Sequence, residues 1–172
     1  MATAFEKAFE NMTSEQREEA TRAIGKMMGI PPHAQRRQES LVKSYYLQRE
    51  DLQEDIVVIK INKLYREGMS AEALYEATRG IWKRNLKSLA GTEYCLSVYK
   101  GEVVEVYTIN EWNPAGTTLM KTRVINPEHT VGRVEFVGKV APDEIRDKYI
   151  GKSVAKLYKR GEANPVKVFR KE

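Results

Sequence analysis

The strongest constraint in this sequence is a pair of alternating, β-rich runs that a two-residue turn separates. Residues 94–99 and 103–109 are rich in Val, Tyr and Ile and alternate in polarity, as strands with one buried face do. Lys100-Gly101 between them is a turn signal. The two runs therefore predict an antiparallel hairpin at the centre of the chain.

Further strands are predicted on both sides of this hairpin, at residues 56–61, 120–125, 133–140 and 166–169. Ser70 can cap a helix over residues 71–78, and Pro142 suits the first turn of a helix over 143–149. Five or six short strands with two inserted helices predict an α+β fold. Its form would be a small, partly closed β-barrel with helices at its mouth.

The residues before the first predicted strand have a helical pattern instead. Thr13 and Gln16 fit a capping box, in which each side chain bonds the other residue's backbone N–H. Two longer helices are predicted there, at 14–28 and 36–52. The chain is therefore expected to consist of an N-terminal helical extension, residues 1–54, and a barrel domain, residues 55–172.

Composition excludes several classes of protein. One cysteine, Cys95, rules out an internal disulfide framework and a cysteine-built zinc site. No apolar run reaches the roughly 18 residues of a membrane span, and the first residues lack the apolar stretch of a secretory signal. A cytoplasmic protein that contacts no membrane is the expectation.

Common catalytic motifs are absent from the sequence. We find no phosphate-binding G-x-x-x-x-G-K-[ST] loop, no G-x-S-x-G elbow and no H-E-x-x-H pair, and the two histidines lie in different segments. No catalytic residue, metal ligand or cofactor is therefore assigned. Whether the protein is an enzyme stays open.

The net charge of +5 is concentrated at one end of the chain. Residues 139–172 hold ten basic and five acidic residues, whereas the preceding residues balance to zero. A basic segment attracts phosphates through long-range fields and counterion release. The alternative is a lysine-rich surface that only interacts with solvent.

Aromatic and basic residues are interleaved in the β-rich part. Trp82 follows Arg79 and precedes two basic residues, and Trp112 stands immediately before an Asn-Pro pair. Aromatic rings stack on bases, and each stack contributes about 1–3 kcal/mol. The alternative for Trp82 is a plug of the helix against the barrel, whereas Trp112 at a strand end suits the mouth of a pocket.

Four segments resemble a family of largely uncharacterised bacterial and phage proteins: residues 74–85, 94–116, 133–154 and 160–169. The shared pattern is a helix ending in A-T-R-G-x-W, a hairpin rich in Val and Tyr, and a closing R-G-x-x-N-P-[IV] segment. The string of strands is also similar to the PUA-like superfamily, which includes EVE, YTH and ASCH domains. That similarity implies nucleic acid as the partner, with a flipped or modified base held in an aromatic pocket.

The same resemblance implies roles for individual residues. Trp82 and Trp112 would be the stacking walls of the pocket, and Arg79 would read the edge or the phosphate of the base. The flanking backbone would be held by four basic residues, Lys152, Lys156, Lys159 and Arg160. Flipping a paired base costs a few kcal/mol, so modified, mismatched or single-stranded targets are favoured.

Three hypotheses follow. The first is a module that binds DNA or RNA and reads a flipped, modified or single-stranded base. The second is a protein–protein adaptor or anti-defence factor, docking through N-terminal helices that carry Phe5, Phe9, Met27 and Met28. The third is an enzyme acting on nucleic acid or a nucleotide, which would need acids such as Glu105, Glu111 or Glu135 to converge beside Arg79 in a pocket.

Overall fold

The computed structural model describes Met12, Thr13, Glu15, Gln16, Glu19, Ala20, Ala23 and residues 45–171. The chain divides into two compact units, Met1–Tyr45 and Tyr46–Glu172. The boundary lies nine residues before the position expected from the sequence.

The described part of the first unit contains the predicted capping box. The Thr13 backbone N–H donates to Gln16 Oε1 at 2.9 Å, and the Gln16 N–H donates to Thr13 Oγ1 at 3.2 Å. This reciprocal pair confirms the prediction. The four apolar residues of the adaptor hypothesis, Phe5, Phe9, Met27 and Met28, lie outside the described residues.

The second unit is built on six strands and three α-helices. The strands are β1 (Ile56–Lys60), β2 (Gly80–Trp82), β3 (Tyr94–Tyr99), β4 (Glu102–Pro114), β5 (Val134–Val140) and β6 (Val166–Phe169). The helices are α1 (Ala71–Arg79), α2 (Leu86–Leu89) and α3 (Asp143–Tyr149). The α+β class and a partly closed, curled sheet are therefore confirmed. No helix among the described residues has the length and apolar character needed to cross a bilayer.

The strands form one mixed sheet in the order β2-β5-β4-β3-β1-β6. Only β1 and β3 run parallel, and the other neighbours are antiparallel. The predicted hairpin is β3–β4. Its turn residues Lys100 and Gly101 both have positive φ, 48° and 86°, which matches the right-handed twist of the two strands.

Apolar residues cover both faces of the sheet, so the core has two layers. On one face, α3 and the segment preceding β1 pack on a cluster that includes Leu47, Val58 and Tyr149. On the other face, α1 and α2 pack on a cluster that includes Tyr107 and Phe136. Both faces are buried, which explains why Ile56–Lys60 reads as a continuous apolar run rather than an alternating one.

Two sequence predictions are wrong in detail, and one strand was missed. Residues 120–125 are not a strand, and the backbone N–H groups of Lys121 and Thr122 bond to the Glu76 side chain instead of a neighbouring strand. The helix predicted over 36–52 does not reach its expected end, because Tyr46 forms a β-bridge with Ser153 and only Arg49–Asp51 makes a 3₁₀ turn. The short edge strand β2 was not predicted as a strand.

Candidate nucleic-acid interface

An open cavity of about 690 Å³ lies between α2 and the C-terminal half of β4. It is lined by Leu86, Lys87, Ala90, Gly91, Thr92, Glu93, Tyr94, Thr108, Ile109, Asn110, Glu111 and Trp112. We call this the Trp112 cavity. Its volume is in the range of small-molecule sites.

The Trp112 indole is fixed in this wall from two sides. Its Nε1–H donates to Thr92 Oγ1 at 2.8 Å, and its ring packs edge-on against Phe136, with the centroids 5.3 Å apart. The side chain is half-buried. A ring held in this way presents a preorganised apolar surface to the cavity, which lowers the entropy lost when a ligand stacks on it.

An irregularity in β4 delivers these residues to the cavity. The register between β4 and β5 shifts between Ile109 and Glu111, so one extra residue stands on β4. Such bulges re-aim the side chains that follow them. Gly138 makes the close approach possible, because a Cβ on that residue would lie 2.0 Å from the Thr108 carbonyl oxygen.

The polar side chains that line the cavity differ in whether they have hydrogen-bond partners within the protein. The two carboxylates are occupied, because Glu93 pairs with Lys171 Nζ at 2.8 Å and Glu111 accepts from Asn113 at 3.0 Å. By contrast, the Thr108 hydroxyl is buried and has no hydrogen-bond partner among the described residues.

The cavity carries charges of both signs: Lys87 is basic, whereas Glu93 and Glu111 are acidic. Residues 80–92 contain three basic residues and no acid. Lys87 lines the cavity and is exposed, and the Arg170 guanidinium donates to the Ser88 carbonyl at 3.1 Å. Two residues of the basic C-terminal segment, Arg170 and Lys171, therefore lie at this end of the sheet.

Trp82 is not among the residues that line the cavity. It pairs with Val134 on β5, whereas Trp112 pairs with Phe136 from the other side of the same strand. The two tryptophans are thus separated by about 10 Å across the strands and about 7 Å along them. Trp82 donates its Nε1–H to the Thr78 carbonyl at 2.7 Å, which ties it to α1. The structure does not bring the two rings together as walls of one pocket.

Arg79 occupies a different position from the one implied by the resemblance. Its side chain is 5% exposed and lies 3.7 Å from Glu135, which is fully buried. The guanidinium also donates to Thr118 Oγ1 and to the Leu119 carbonyl. Its donors are directed at the protein's own loop, so a role in reading a base or phosphate is corrected to a structural one.

The four other basic residues lie at the far end of the sheet. The Lys152 carbonyl accepts from Val103 N–H near the start of β4, and Val154 N–H donates to the Gly101 carbonyl in the hairpin turn. Nine residues of β4 separate Val103 from Trp112, a distance of roughly 30 Å. The structure therefore does not place Lys152, Lys156, Lys159 and Arg160 beside the Trp112 cavity.

Sequence reasoning missed a buried charged cluster beneath the loop that follows β4. Glu76 and Glu135 are buried, and both accept hydrogen bonds from backbone N–H groups of residues 116–122. Burial by itself raises the pKa of Glu76. The hydrogen bonds from Thr122 and Lys121, and the nearby Arg79 charge, outweigh burial and hold that pKa below its ordinary value. The sequence offers one signal for this cluster: Glu135 stands between the apolar residues Val134 and Phe136 in a predicted strand, which suggests a buried carboxylate.

Of the three acids named for an enzyme, Glu135 lies beside Arg79 and lines an open cavity, but Glu105 does not join it. Glu105 forms a bidentate pair with Arg146, at 2.9 and 3.1 Å, near the start of β4. Glu135 lies on β5 opposite Gly80 of β2 and Asn113 of β4, and Asn113 is at the other end of β4 from Glu105. Among the described residues no group of three or more His, Cys, Asp or Glu side chains could hold a metal ion. Cys95 is fully buried, and burial raises the pKa of its thiol well above the usual value.

Neither a family model, nor a curated protein, nor a solved structure matches this chain. The functional argument therefore depends on the geometry of the site alone.

Proposed function

We propose that the protein is a nucleic-acid-binding module that holds one unstacked base in the Trp112 cavity. In this proposal the fold is a PUA-like barrel, and the base is flipped, modified or already single-stranded. The observation that carries the proposal is a fixed, half-buried Trp112 ring in the wall of an open cavity that the exposed Lys87 also lines. The ring matches the face of a base, and the lysine matches its phosphate.

The site is also poorly suited to a base that is paired within a duplex. Unstacking a paired base costs a few kcal/mol, and one stacking ring returns about 1–3 kcal/mol. Trp112 is the one tryptophan that lines the cavity, so a single stack on its indole offsets at most that cost. Bases that are modified, mismatched or single-stranded are accordingly the preferred ligands.

The test is fluorescence anisotropy of labelled single-stranded DNA and RNA, measured over a series of salt concentrations. We expect affinity to fall steeply with salt, because phosphate contacts release counterions. Trp112→Ala should weaken binding by about 1–3 kcal/mol through the lost stack. Trp82→Ala, on the same face but outside the cavity, is the control and should bind like the wild type.

Two exposed lysines provide a second comparison. Lys87→Ala, at the rim, should reduce the slope of log affinity against log salt by about 0.7, the contribution of one phosphate contact on a single strand. Lys156→Ala, at the far end of the sheet, should leave that slope unchanged. Binding that is indifferent to salt, or that Trp112→Ala leaves intact, would refute the proposal.

A further inference from the structure

Asn110 is the residue that the irregularity in β4 adds to the strand. Ile109 and Glu111 stand opposite consecutive residues of β5, so Asn110 between them has no partner residue there. Asn110 is exposed, and it lines the Trp112 cavity. A bulge leaves its extra residue outside the regular pairing of the ladder and re-aims it. The bulge therefore delivers one polar side chain to the wall of the cavity.

The hydrogen-bonding groups of the Asn110 carboxamide are not used within the protein. Among the described residues, no group donates to this side chain or accepts from it. By contrast, the Asn113 amide donates to Glu111 Oε1 at 3.0 Å. A carboxamide carries two N–H donors on its nitrogen and two lone pairs on its oxygen. Asn110 is the one carboxamide that lines the cavity, and it offers a donor and an acceptor side by side.

The carboxamide lies where the edge of a stacked base would be. Asn110 and Trp112 are two residues apart on β4, about 7 Å along the strand, and both line the cavity. A base that stacks on the indole carries its polar groups at its periphery, beyond the ring that it covers. One edge of the base then comes within reach of a side chain at this distance along the wall.

The acid beside Asn110 determines which edge suits the site. A carboxamide alone pairs with several kinds of edge, because turning it exchanges the positions of its donor and its acceptor. The Glu111 carboxylate is exposed, lines the same cavity and has no donor of its own. It therefore favours an edge that carries an amino group and disfavours a carbonyl oxygen, as acids do when they accept from cytosine N4. Adenine and cytosine have an amino group beside a ring nitrogen acceptor, whereas uracil and thymine have only carbonyls and a ring N–H.

We propose that Asn110 reads the edge of the base in the Trp112 cavity, and that the site selects adenine and cytosine over uracil and thymine. The inference rests on the proposed function and adds to it the kind of base that is held. The Asn110 oxygen accepts from the amino group, and the amide N–H donates to the adjacent ring nitrogen. The second amino hydrogen is then available to the Glu111 carboxylate.

The test uses the full-length protein and labelled single strands in which every position is an abasic spacer except one central nucleotide. That nucleotide carries adenine, cytosine, thymine or purine, and purine is adenine without its 6-amino group. The phosphates are identical in the four strands, so differences in affinity, measured by fluorescence anisotropy, report the base. We expect the adenine and cytosine strands to bind at least about five-fold more tightly than the thymine and purine strands.

Two variants separate Asn110 from a general effect on binding. Asn110→Ala should lose most of this preference while its salt slope and its urea midpoint stay those of the wild type, because the side chain is exposed. The matched control is Asn126→Ala. Asn126 is also exposed, but it lies in the connection between β4 and β5 and does not line the cavity. This variant should keep the full preference.

The outcomes distinguish this inference from the proposed function. Equal affinity for the four strands overturns the role of Asn110, as does a preference that survives Asn110→Ala or a loss that is the same for every strand. If binding still depends on Trp112 and on salt in those cases, the proposed function stands. Absence of binding to any of the strands, or binding that Trp112→Ala leaves intact, refutes both.

Discussion

Single carboxylates hold the connection between β4 and β5 in place. Each oxygen of Glu76 accepts at least one hydrogen bond from Lys121 or Thr122. These bonds favour the ionised form of Glu76, since a protonated carboxyl loses acceptor capacity and places a donor against the N–H groups. The charge state of one residue in α1 therefore controls a loop about 45 residues away in sequence.

Acid should release this loop, and the sign follows from the direction of the Glu76 shift. The folded-state pKa is lowered from 4.5, so the bracing contribution is present above the unfolded pKa and is lost as pH falls through the lower folded value. We expect the amide proton shifts of Lys121 and Thr122, followed by NMR, to stay constant from neutral pH down to about 4.5 and to change below it.

Two variants serve as controls for this titration. Glu76→Gln has no carboxylate to titrate at this position, so the same two amides should show no such transition. Glu72→Gln removes only an exposed partner of the Lys121 side chain, and it should follow the wild type. A transition centred above the ordinary pKa would contradict the assignment.

A single residue, Arg79, also shows why a ligand-binding role could be inferred from sequence although the side chain is buried. An Arg beside Gly and Trp at the end of a helix is compatible with ligand binding, and nothing local indicates a partner. Its partner Glu135 is 56 residues away in sequence and meets it only because β2 pairs with β5. Removing one member of such a buried pair strongly destabilises the folded protein, because the other charge is left buried without a partner.

At the scale of elements, the bulge in β4 connects the sheet to the cavity. Gly138 stands opposite Ile109, where the register shifts. Its missing Cβ lets the two backbones approach, and the residues that follow on β4 line the Trp112 cavity.

Gly138→Ala should therefore be strongly destabilising. The new Cβ would lie 2.0 Å from a backbone oxygen, which cannot move aside as a flexible side chain could. We expect a loss of at least about 2 kcal/mol in the free energy of unfolding, measured by urea denaturation. Lys139→Ala, an exposed neighbour on β5, should change it by less than about 0.5 kcal/mol. Equal urea midpoints for Gly138→Ala and Lys139→Ala would show that the close approach of the β4 and β5 backbones at Gly138 is not required.

The elements themselves followed well from local sequence where the pattern was regular. The first hairpin strand, the helix capped by Ser70 and the last strand lie close to their predicted positions, because alternation, capping and turn residues act over a few residues. The second hairpin strand was predicted to end at Ile109, but β4 continues to Pro114. The strand β2 is three residues long, and its pairing with β5 depends on distant residues. No local period can reveal such a strand.

At the scale of the molecule, the segment before β1 belongs to the sheet's core. Leu47 and Leu52 are 1% and 3% exposed, and the Leu47 N–H donates to the Ser153 carbonyl at 2.9 Å. The residues that a sequence-based boundary at 54 would assign to the helical extension thus include part of the second unit's core.

Two truncations should differ for this reason. A chain that begins at Tyr46 keeps both leucines and should unfold cooperatively in urea. A chain that begins at Gln53 loses both, and each buried leucine contributes about 2–5 kcal/mol, against a typical total of about 5–15 kcal/mol. We expect the shorter chain to be unfolded or strongly destabilised by circular dichroism. Similar stability of the two chains would contradict the packing described above.

By itself the sequence determined the α+β class, most of the strands, the tight turn and the basic C-terminal segment, because these depend on local periodicity and composition. The tertiary structure alone decided which side chains meet. It placed Trp112 at a cavity, Trp82 across β5 from it and Lys152, Lys156, Lys159 and Arg160 at the opposite end of the sheet. The physical reason is that strand order and register fix distances between residues far apart in the chain, and a six-stranded sheet with one parallel pair is one of many arrangements that the same local patterns allow.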